Sequence, residues 1–476
     1  MRTYMESWIN SLTYYRRRSL FLFEVKHMNA SRYFRRYFSS NRLKNIYSDK
    51  IKYRATVGMD RITPAAFENK LDENVRLISQ KVLSGKYKFT RYREVLISKG
   101  RGKEPRVISI PTIRDKLALS AYHQFLQSSF GATIQEPLLH TIVGDITQEV
   151  LSGRFNGYVK IDITHFYASI DHRLLLKKVK KKIRKAEAIH FLEEAVSTET
   201  IARVGSAPQR GKNNCGVPEG LSISNILADI YLSDFKERVC SSYNVCFYRY
   251  VDDILILCNS SEAGEIKNFC VETLKTDYIL DANEKKTMFG EIVNGVPFLG
   301  YMFFDSKVGI RPSAEEKLED SIEELFRLRK KQTISPQVFI WRLNLRITGC
   351  ILDSKKYGWL FYYSQLTDLS ILFHLDWFVG HLFSRYGFDR PKDIKRFIRS
   401  YHEITKNISR SSYIINADRY SFEEKAEILS EIYNQRNFNK NDALTVDSLF
   451  KATMFKEVQR LEYDIQNFSY LRSKMF

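Results

Sequence analysis

The stretch Phe247-Tyr248-Arg249-Tyr250-Val251-Asp252-Asp253-Ile254-Leu255-Ile256-Leu257 decides how the rest of the chain is read. Two adjacent carboxylates sit between apolar, strand-forming halves, which predicts a β-hairpin over residues 245–257 turning near Val251-Asp252. Charge placed there without a partner is expensive, and a divalent cation meets that cost because hard cations take carboxylate oxygens. An ordinary Asp-Asp turn explains this stretch alone equally well. A further carboxylate changes the balance. Asp162 ends a separate apolar strand, Tyr158-Val159-Lys160-Ile161-Asp162-Ile163. If that strand lies beside the hairpin, Asp162, Asp252 and Asp253 converge on a site for two Mg²⁺ ions, with Mn²⁺ the alternative. Such a pair can activate an attacking 3′-hydroxyl and stabilise a departing pyrophosphate.

Around this feature lie 476 residues with 75 Lys+Arg against 55 Asp+Glu, a net charge of +20. That excess points to an anionic partner, nucleic acid or an acidic membrane face, or else to a solvated basic surface. The length allows two or three domains. The six cysteines include no C-x-x-C pair, which argues against a disulfide framework or zinc ribbon and for reduced thiols in the cytoplasm. The start of the chain lacks the apolar core of a signal peptide. The most apolar later stretch, residues 357–383, is interrupted by Asp368, His374 and Asp376 and reads as a buried amphipathic helix rather than a membrane span. We therefore expect a soluble cytoplasmic protein without a membrane partner.

The first 50 residues hold 11 Lys/Arg and 3 Asp/Glu, with the run Arg32-Tyr33-Phe34-Arg35-Arg36-Tyr37-Phe38. Cations interleaved with rings suit single-stranded nucleic acid; an amphipathic helix docking its rings on the body suits the pattern equally. Strands are expected at 92–97 and 106–110, joined by the basic turn Lys99-Gly100-Arg101-Gly102-Lys103, and a helix at 114–129. Helices are then expected at 172–186, 225–241 and 262–276, with strand pieces at 287–292 and 298–304. After Pro312 the chain reads almost wholly as helix. The run from Lys177 to Lys185 reads as a solvated helix face, with template backbone as the sharper alternative. Strands alternating with helices around an internal hairpin predict an α+β fold with an antiparallel sheet.

Several motifs together resemble the reverse transcriptases. Asp162 with Tyr167 five residues on, the loop Gly216-Val-Pro-Glu219-Gly-Leu-Ser-Ile-Ser224, Tyr250 to Asp253, Asn283-Glu-Lys-Lys286-Thr and Phe298-Leu299-Gly300-Tyr301 follow the family's order. Lys99 to Lys116 is similar to the fingers segment of group II intron and retron members, and Val57 to Thr63 to the block before it. The resemblance spans about residues 55–305. It implies a right-hand polymerase: a basic aromatic extension at 1–55, fingers at 56–155, an antiparallel-sheet palm at 156–305, a helical thumb at 306–400 and a helical C-terminal region at 401–476.

Carried over residue by residue, the resemblance makes Asp162, Asp252 and Asp253 the catalytic, metal-binding aspartates, with the Ile163 carbonyl completing a metal shell. Tyr167 takes the steric-gate position that favours dNTPs. Lys103 and Arg106 resemble the fingers cations that grip the triphosphate, Lys286 the palm lysine near it, and Phe298 to Tyr301 the primer grip. Tyr167 as a core ring and Lys286 as a plain surface lysine are the bland alternatives. Two positions depart from the family. Glu219 replaces the usual Gln, so a carboxylate that only accepts stands near the triphosphate and should repel it unless it is paired, protonated or turned away. His165 stands where many relatives carry an acid, and its imidazole could contact the triphosphate.

Residues 341–349 and 358–368 look like the helical region of bacterial defence-associated members. The implied activity is RNA-directed DNA synthesis from dNTPs, with an RNA template and cDNA product, in anti-phage defence with a non-coding RNA. An accessory protein and self-association stay open. So do template-independent or protein-primed synthesis and a non-catalytic nucleic-acid-binding subunit.

Overall fold

The computed structural model describes residues 30–52, 56–97, 104–134, 138–202, 213–434 and 443–465. The two apolar carboxylate-bearing segments pair with each other. Strand Gly157–Asp162 lies antiparallel between Asp253–Cys258 and Met288–Glu291, and Cys246–Tyr250 completes a four-stranded sheet as the hairpin partner of Asp253–Cys258. Ile254, Leu255, Ile256 and Leu257 are all fully buried. Such an unbroken apolar run marks a strand covered on both faces rather than a half-solvated one. Helix Ala263–Tyr278 packs against Gly157–Asp162 from one side.

A second sheet stands upstream. Tyr92–Ile97 and Arg106–Ile110 form an antiparallel hairpin running from the Arg93–Ile110 pair to the Ile97–Arg106 pair, and Thr200–Ile201 adds a short parallel edge. The basic turn expected between the two strands, including Lys103, lies outside the described residues. Helix Ile113–Ile134 follows, longer than the expected 114–129 and non-helical at Gly131. The aromatic run near the start docks on it: Phe34 and Phe38 are wholly buried, with the Phe34 ring edge-on to Phe125 at 5.1 Å and the Phe38 ring 5.6 Å from Phe191. Those two rings belong to the core and cannot stack on bases, while Arg35 and Arg36 between them are exposed.

Four expectations about elements are corrected. The helix expected at 172–186 is two, His172–Lys180 and Ala186–Ser197. Lysines at i,i+4 spacing (177 with 181, 178 with 182) repel along a continuous helix, and the break lets Ile183 turn fully inward. The helix expected at 225–241 is interrupted at Leu232–Asp234, where the Asp234 carboxylate accepts from the Tyr278 hydroxyl at 2.8 Å and pairs with buried Lys178. The region after Pro312 is not wholly helical. Cys350–Leu352, Lys355–Tyr357 and Ile415–Asn416 form a small sheet, and the Asp418 carboxylate clamps its hairpin turn by accepting from the Asp353 and Ser354 amides, both at 2.7 Å.

The expected buried helix at 357–383 is likewise a strand end, a short helix Trp359–Tyr362 and a longer one, Ser370–Tyr386. Helices Pro312–Lys330 and Pro336–Thr348 supply the helical character expected at the start of that region. The final helix, Ala443–Asp464, is tied to them by Arg342–Glu457 at 3.0 Å and Arg346–Asp464 at 3.2 Å. Among the described residues no helix is long and apolar enough to cross a membrane.

Candidate active site

Sheet register assembles the carboxylates. In the pairing of Gly157–Asp162 with Asp253–Cys258, Asp162 lies directly opposite Asp253. Opposed residues in antiparallel strands stand about 5 Å apart, and like charges so placed destabilise the pair. The turn beside them is built on Val251, whose φ of 60° lies in the left-handed region. Arg249 steadies it: one guanidinium nitrogen donates to the Val251 carbonyl at 3.3 Å, and another pairs with Asp229 at 3.1 Å. Asp252 follows Val251 and brings the third carboxylate.

The electrostatics register the crowding. Burial first, then the charge of Asp252, pushes the Asp253 carboxyl up to about 6, with Asp162 adding to the rise and Lys160 and Lys286 opposing it. Burial lowers Lys160, with Arg311 and Lys286 adding to the effect and Asp253 and Asp162 opposing it. Lys286 reaches Asp162 at 3.1 Å from a mostly exposed position. Backbone pairing delivers it there: Ile163 bridges Ala282, the Thr164 amide donates to Asp281 at 2.8 Å, and the Asn283 amide donates to Asp162 at 2.7 Å. An exposed ion pair of this kind is worth about 0–1 kcal/mol, so Lys286 can leave at little cost.

Three hard carboxylates around an excess of negative charge form a donor set that fits Mg²⁺ or Mn²⁺. Among the described residues, Glu315, Glu319 and His374 are the group that brings three ligand atoms within 4.8 Å of one another. The three aspartates do not close to that spacing, and Asp162 is turned to Lys286.

The neighbouring cleft gathers other expected residues. Arg106, His165 and Glu219 line one cavity of about 650 Å³ together with Ala168 and Gly216 to Pro218. The Arg106 guanidinium forms an ion pair with the Glu219 carboxylate at 3.1 Å, and the Ser109 amide donates to the Glu219 carbonyl at 2.7 Å. Of the ways to keep that carboxylate from repelling a triphosphate, pairing is the one seen. His165 is exposed and sits in the left-handed region with φ 46°. Tyr167 is nearly fully buried, its hydroxyl donating to Asn225 at 2.7 Å and its carbonyl accepting from Val217 at 2.7 Å.

Phe298, Leu299, Gly300 and Tyr301 form the tight turn of a hairpin and are all buried. They lie under the Trp359–Tyr362 helix: the Tyr362 hydroxyl donates to the Leu299 carbonyl at 2.8 Å, and Tyr301 donates to Tyr362 at 2.6 Å. Gly300, with φ 84°, admits no side chain there, because a Cβ would stand 2.5 Å from the Tyr363 hydroxyl. Their side chains are thus committed to packing. Lys160, Arg249 with Asp229, Asn225 and Arg311 were not foreseen. Only Lys160 carried a signal, two residues before Asp162 and so on the same strand face.

With this geometry in view, residues 97–303 match the family model of reverse transcriptase (RNA-dependent DNA polymerase). The chain carries a reverse transcriptase domain. By family, that domain is an RNA-directed DNA polymerase, a nucleotidyltransferase. Protein YkfC of Escherichia coli (strain K12) is 23% identical over 336 residues, covering 60% of this chain and 87% of that one. The group II intron-encoded protein LtrA of Lactococcus lactis subsp. cremoris is 26% identical over 204 residues, 41% of this chain and 32% of its own. The chain therefore spans only about a third of LtrA. Among solved structures, telomerase from Candida albicans in complex with a fragment of telomeric RNA aligns over 86% of this chain and 68% of that one, with TM-score 0.41 and 12% identity.

Asp253 predicts a pH dependence for the reverse transcriptase domain free of divalent ions. Its folded-state value lies above the ordinary one, so the stability it supplies is complete below about pH 4 and is lost as pH rises through about 6. Above that window Asp253→Asn should make the metal-free protein more stable to urea than wild type, by about 1–3 kcal/mol. A variant less stable than wild type at pH 7.5 in chelator would contradict the crowding argument.

Proposed function

We propose that this chain copies RNA into DNA by transferring deoxynucleotides at a two-cation site held by Asp162, Asp252, Asp253 and the Ile163 carbonyl. The observation that carries the reading is the register pair Asp162–Asp253 beside Asp252, whose crowding favours a bound cation. Bound there, two Mg²⁺ ions would supply activation of the 3′-hydroxyl and charge neutralisation at the departing pyrophosphate. In this reading residues 156–305 serve as palm, 56–155 as fingers, 306–400 as thumb, 401–476 as a helical appendage and 1–55 as a basic extension.

The side chains take their roles from the cleft. Arg106 meets the triphosphate with its planar fork once Glu219 yields it, with Lys103 as the second fingers cation. Lys286 turns from Asp162 towards the phosphates and can protonate the leaving group. Tyr167, fixed by Asn225, walls off the space where a 2′-hydroxyl would stand, and His165 faces the cavity that Arg106 and Glu219 line. The Phe298–Tyr301 turn positions the primer through its backbone and its rigid seat, since its side chains are packed away. The ion pair of Glu219 with Arg106 supports a reading in which this carboxylate does not repel the nucleotide, while template-independent or protein-primed synthesis stays the alternative. A role in anti-phage defence with a non-coding RNA template is the finer part of the proposal; it rests on the resemblance of residues 341–349 and 358–368. A cytoplasmic setting rests on cysteine usage.

Labelled dNTP incorporation on an RNA template tests the site. Asp252→Asn/Asp253→Asn should lose at least the ~10–100-fold that removal of an outer-shell metal partner costs. Equal incorporation by wild type and variant would end the assignment. Glu219→Gln should lower the dNTP KM by ~2–5-fold, the worth of a partly exposed ion pair, with little change in kcat. A raised KM would instead make Glu219 a support that Arg106 needs.

A further inference from the structure

Outside the matched segment, the loop and helix at 392–413 collect a second body of positive charge. Helix Phe397–Lys406 presents Arg399, His402 and Lys406 to solvent, with Lys392 and Arg396 just ahead of it and Arg410 just beyond. All of these but Arg410 line a groove of about 940 Å³, which shares Lys395, Arg399, Glu403, Asn407 and Tyr413 with a smaller cavity of about 230 Å³ reaching Arg410, Ser411 and Ser412. Two acids line it, Asp393 and Glu403, and Glu403 already accepts from Asn407 at 3.1 Å. Among the described residues, none of Lys392, Arg396, Arg399, Lys406 and Arg410 forms an ion pair.

The groove is built rather than incidental. Asn344, buried in the neighbouring helix, accepts from the Lys395 amide at 2.9 Å and donates to the Asp393 carbonyl at 3.2 Å. Asp376 caps the helix by accepting from the Phe397 and Ile398 amides. The Tyr413 ring lies 4.3 Å from the Arg399 guanidinium and 5.1 Å from the Lys395 ammonium, and the Lys395 ammonium donates to the Tyr413 carbonyl. A guanidinium stacked on a ring keeps its edge free, and that edge matches phosphate oxygens. Glu403 and Asp376 offset part of the charge of Arg399 and Arg396, and the cations still outnumber the acids along the groove.

We propose that this groove binds the phosphate backbone of a single nucleic-acid strand, at a site separate from the aspartate cleft. Size selects the ligand: Arg396 to Lys406 spans about 15 Å of helix axis, more than one phosphate can bridge, so the anion is a polymer. Shape selects it again. The cations line a concavity around one ring, which admits a strand. A bilayer instead calls for an amphipathic face with apolar side chains to insert.

The test uses the full chain and a labelled single-stranded RNA of about 30 nucleotides, with affinity followed by anisotropy against KCl concentration. Arg396→Gln/Arg399→Gln/Lys406→Gln should flatten the slope of log K against log salt by about 2, near 0.7 for each lost phosphate contact. Arg399→Lys, which keeps the charge and removes the fork, should weaken binding while leaving the slope nearly unchanged. The triple variant should still incorporate dNTPs on a short primer–template. That activity reports on the aspartate site alone, so the two proposals can fail separately. Wild-type affinity and slope in the triple variant would overturn the groove. So would an unchanged RNA slope together with lost binding to phosphatidylserine vesicles, which would give the groove to a membrane surface.

Discussion

Two carboxylates face each other across adjacent strands, one of them heading a fully buried apolar run, and a third lies one residue away. Nearby cations offset part of that charge. Lys286 reaches Asp162 from solvent, and Lys160 lies close by but is itself lowered by burial. The outcome is an Asp253 carboxyl held well above its ordinary range. Much of the nearby architecture keeps this unfavourable cluster in place: the Arg249–Asp229 pair behind the left-handed turn, the bridge that carries the Lys286 loop, and the helix packed beneath the strand. Fold stability elsewhere in the sheet carries the strain, and a bound cation would convert it into affinity.

Beside the carboxylates, the cleft is organised by a second charge relation. Glu219 and Arg106 neutralise each other across the cavity that His165 also lines. In the proposed reading, nucleotide entry would exchange one anion for another on the same guanidinium. The hairpin turn at Phe298 to Tyr301 contributes in a different way. Buried beneath Tyr362 and Tyr363, it couples the sheet region to the helices that follow.

Much of this was legible in the sequence where local pattern and tertiary role coincide. The hairpin with Asp252 and Asp253 at its turn, the strand ending at Asp162, and the strands at Tyr92–Ile97 and Arg106–Ile110 all appear where apolar runs and turn residues put them. What stayed hidden depended on partners far away in the chain. The interruption at Leu232–Asp234 answers to Lys178 and Tyr278, and the small sheet after Pro312 to Asp418. Two readings of the Phe34–Phe38 run were equal on composition, and only the presence of Phe125 and Phe191 decides for docking. Glu219 looked like a repulsive charge because its partner stands more than a hundred residues upstream. The basic groove escaped notice because its cations are interspersed with apolar residues that face inward, so no run of charge marks it.

The central claim is that three aspartates brought together by strand register form a two-cation site. Crystals soaked with Mn²⁺ and a non-hydrolysable dNTP, measured at the manganese absorption edge, test it directly. The account predicts two anomalous peaks about 3.5–4 Å apart between Asp162, Asp252 and Asp253, with Lys286 withdrawn from Asp162. Mn²⁺ bound at Glu315, Glu319 and His374 with none among the aspartates would contradict it.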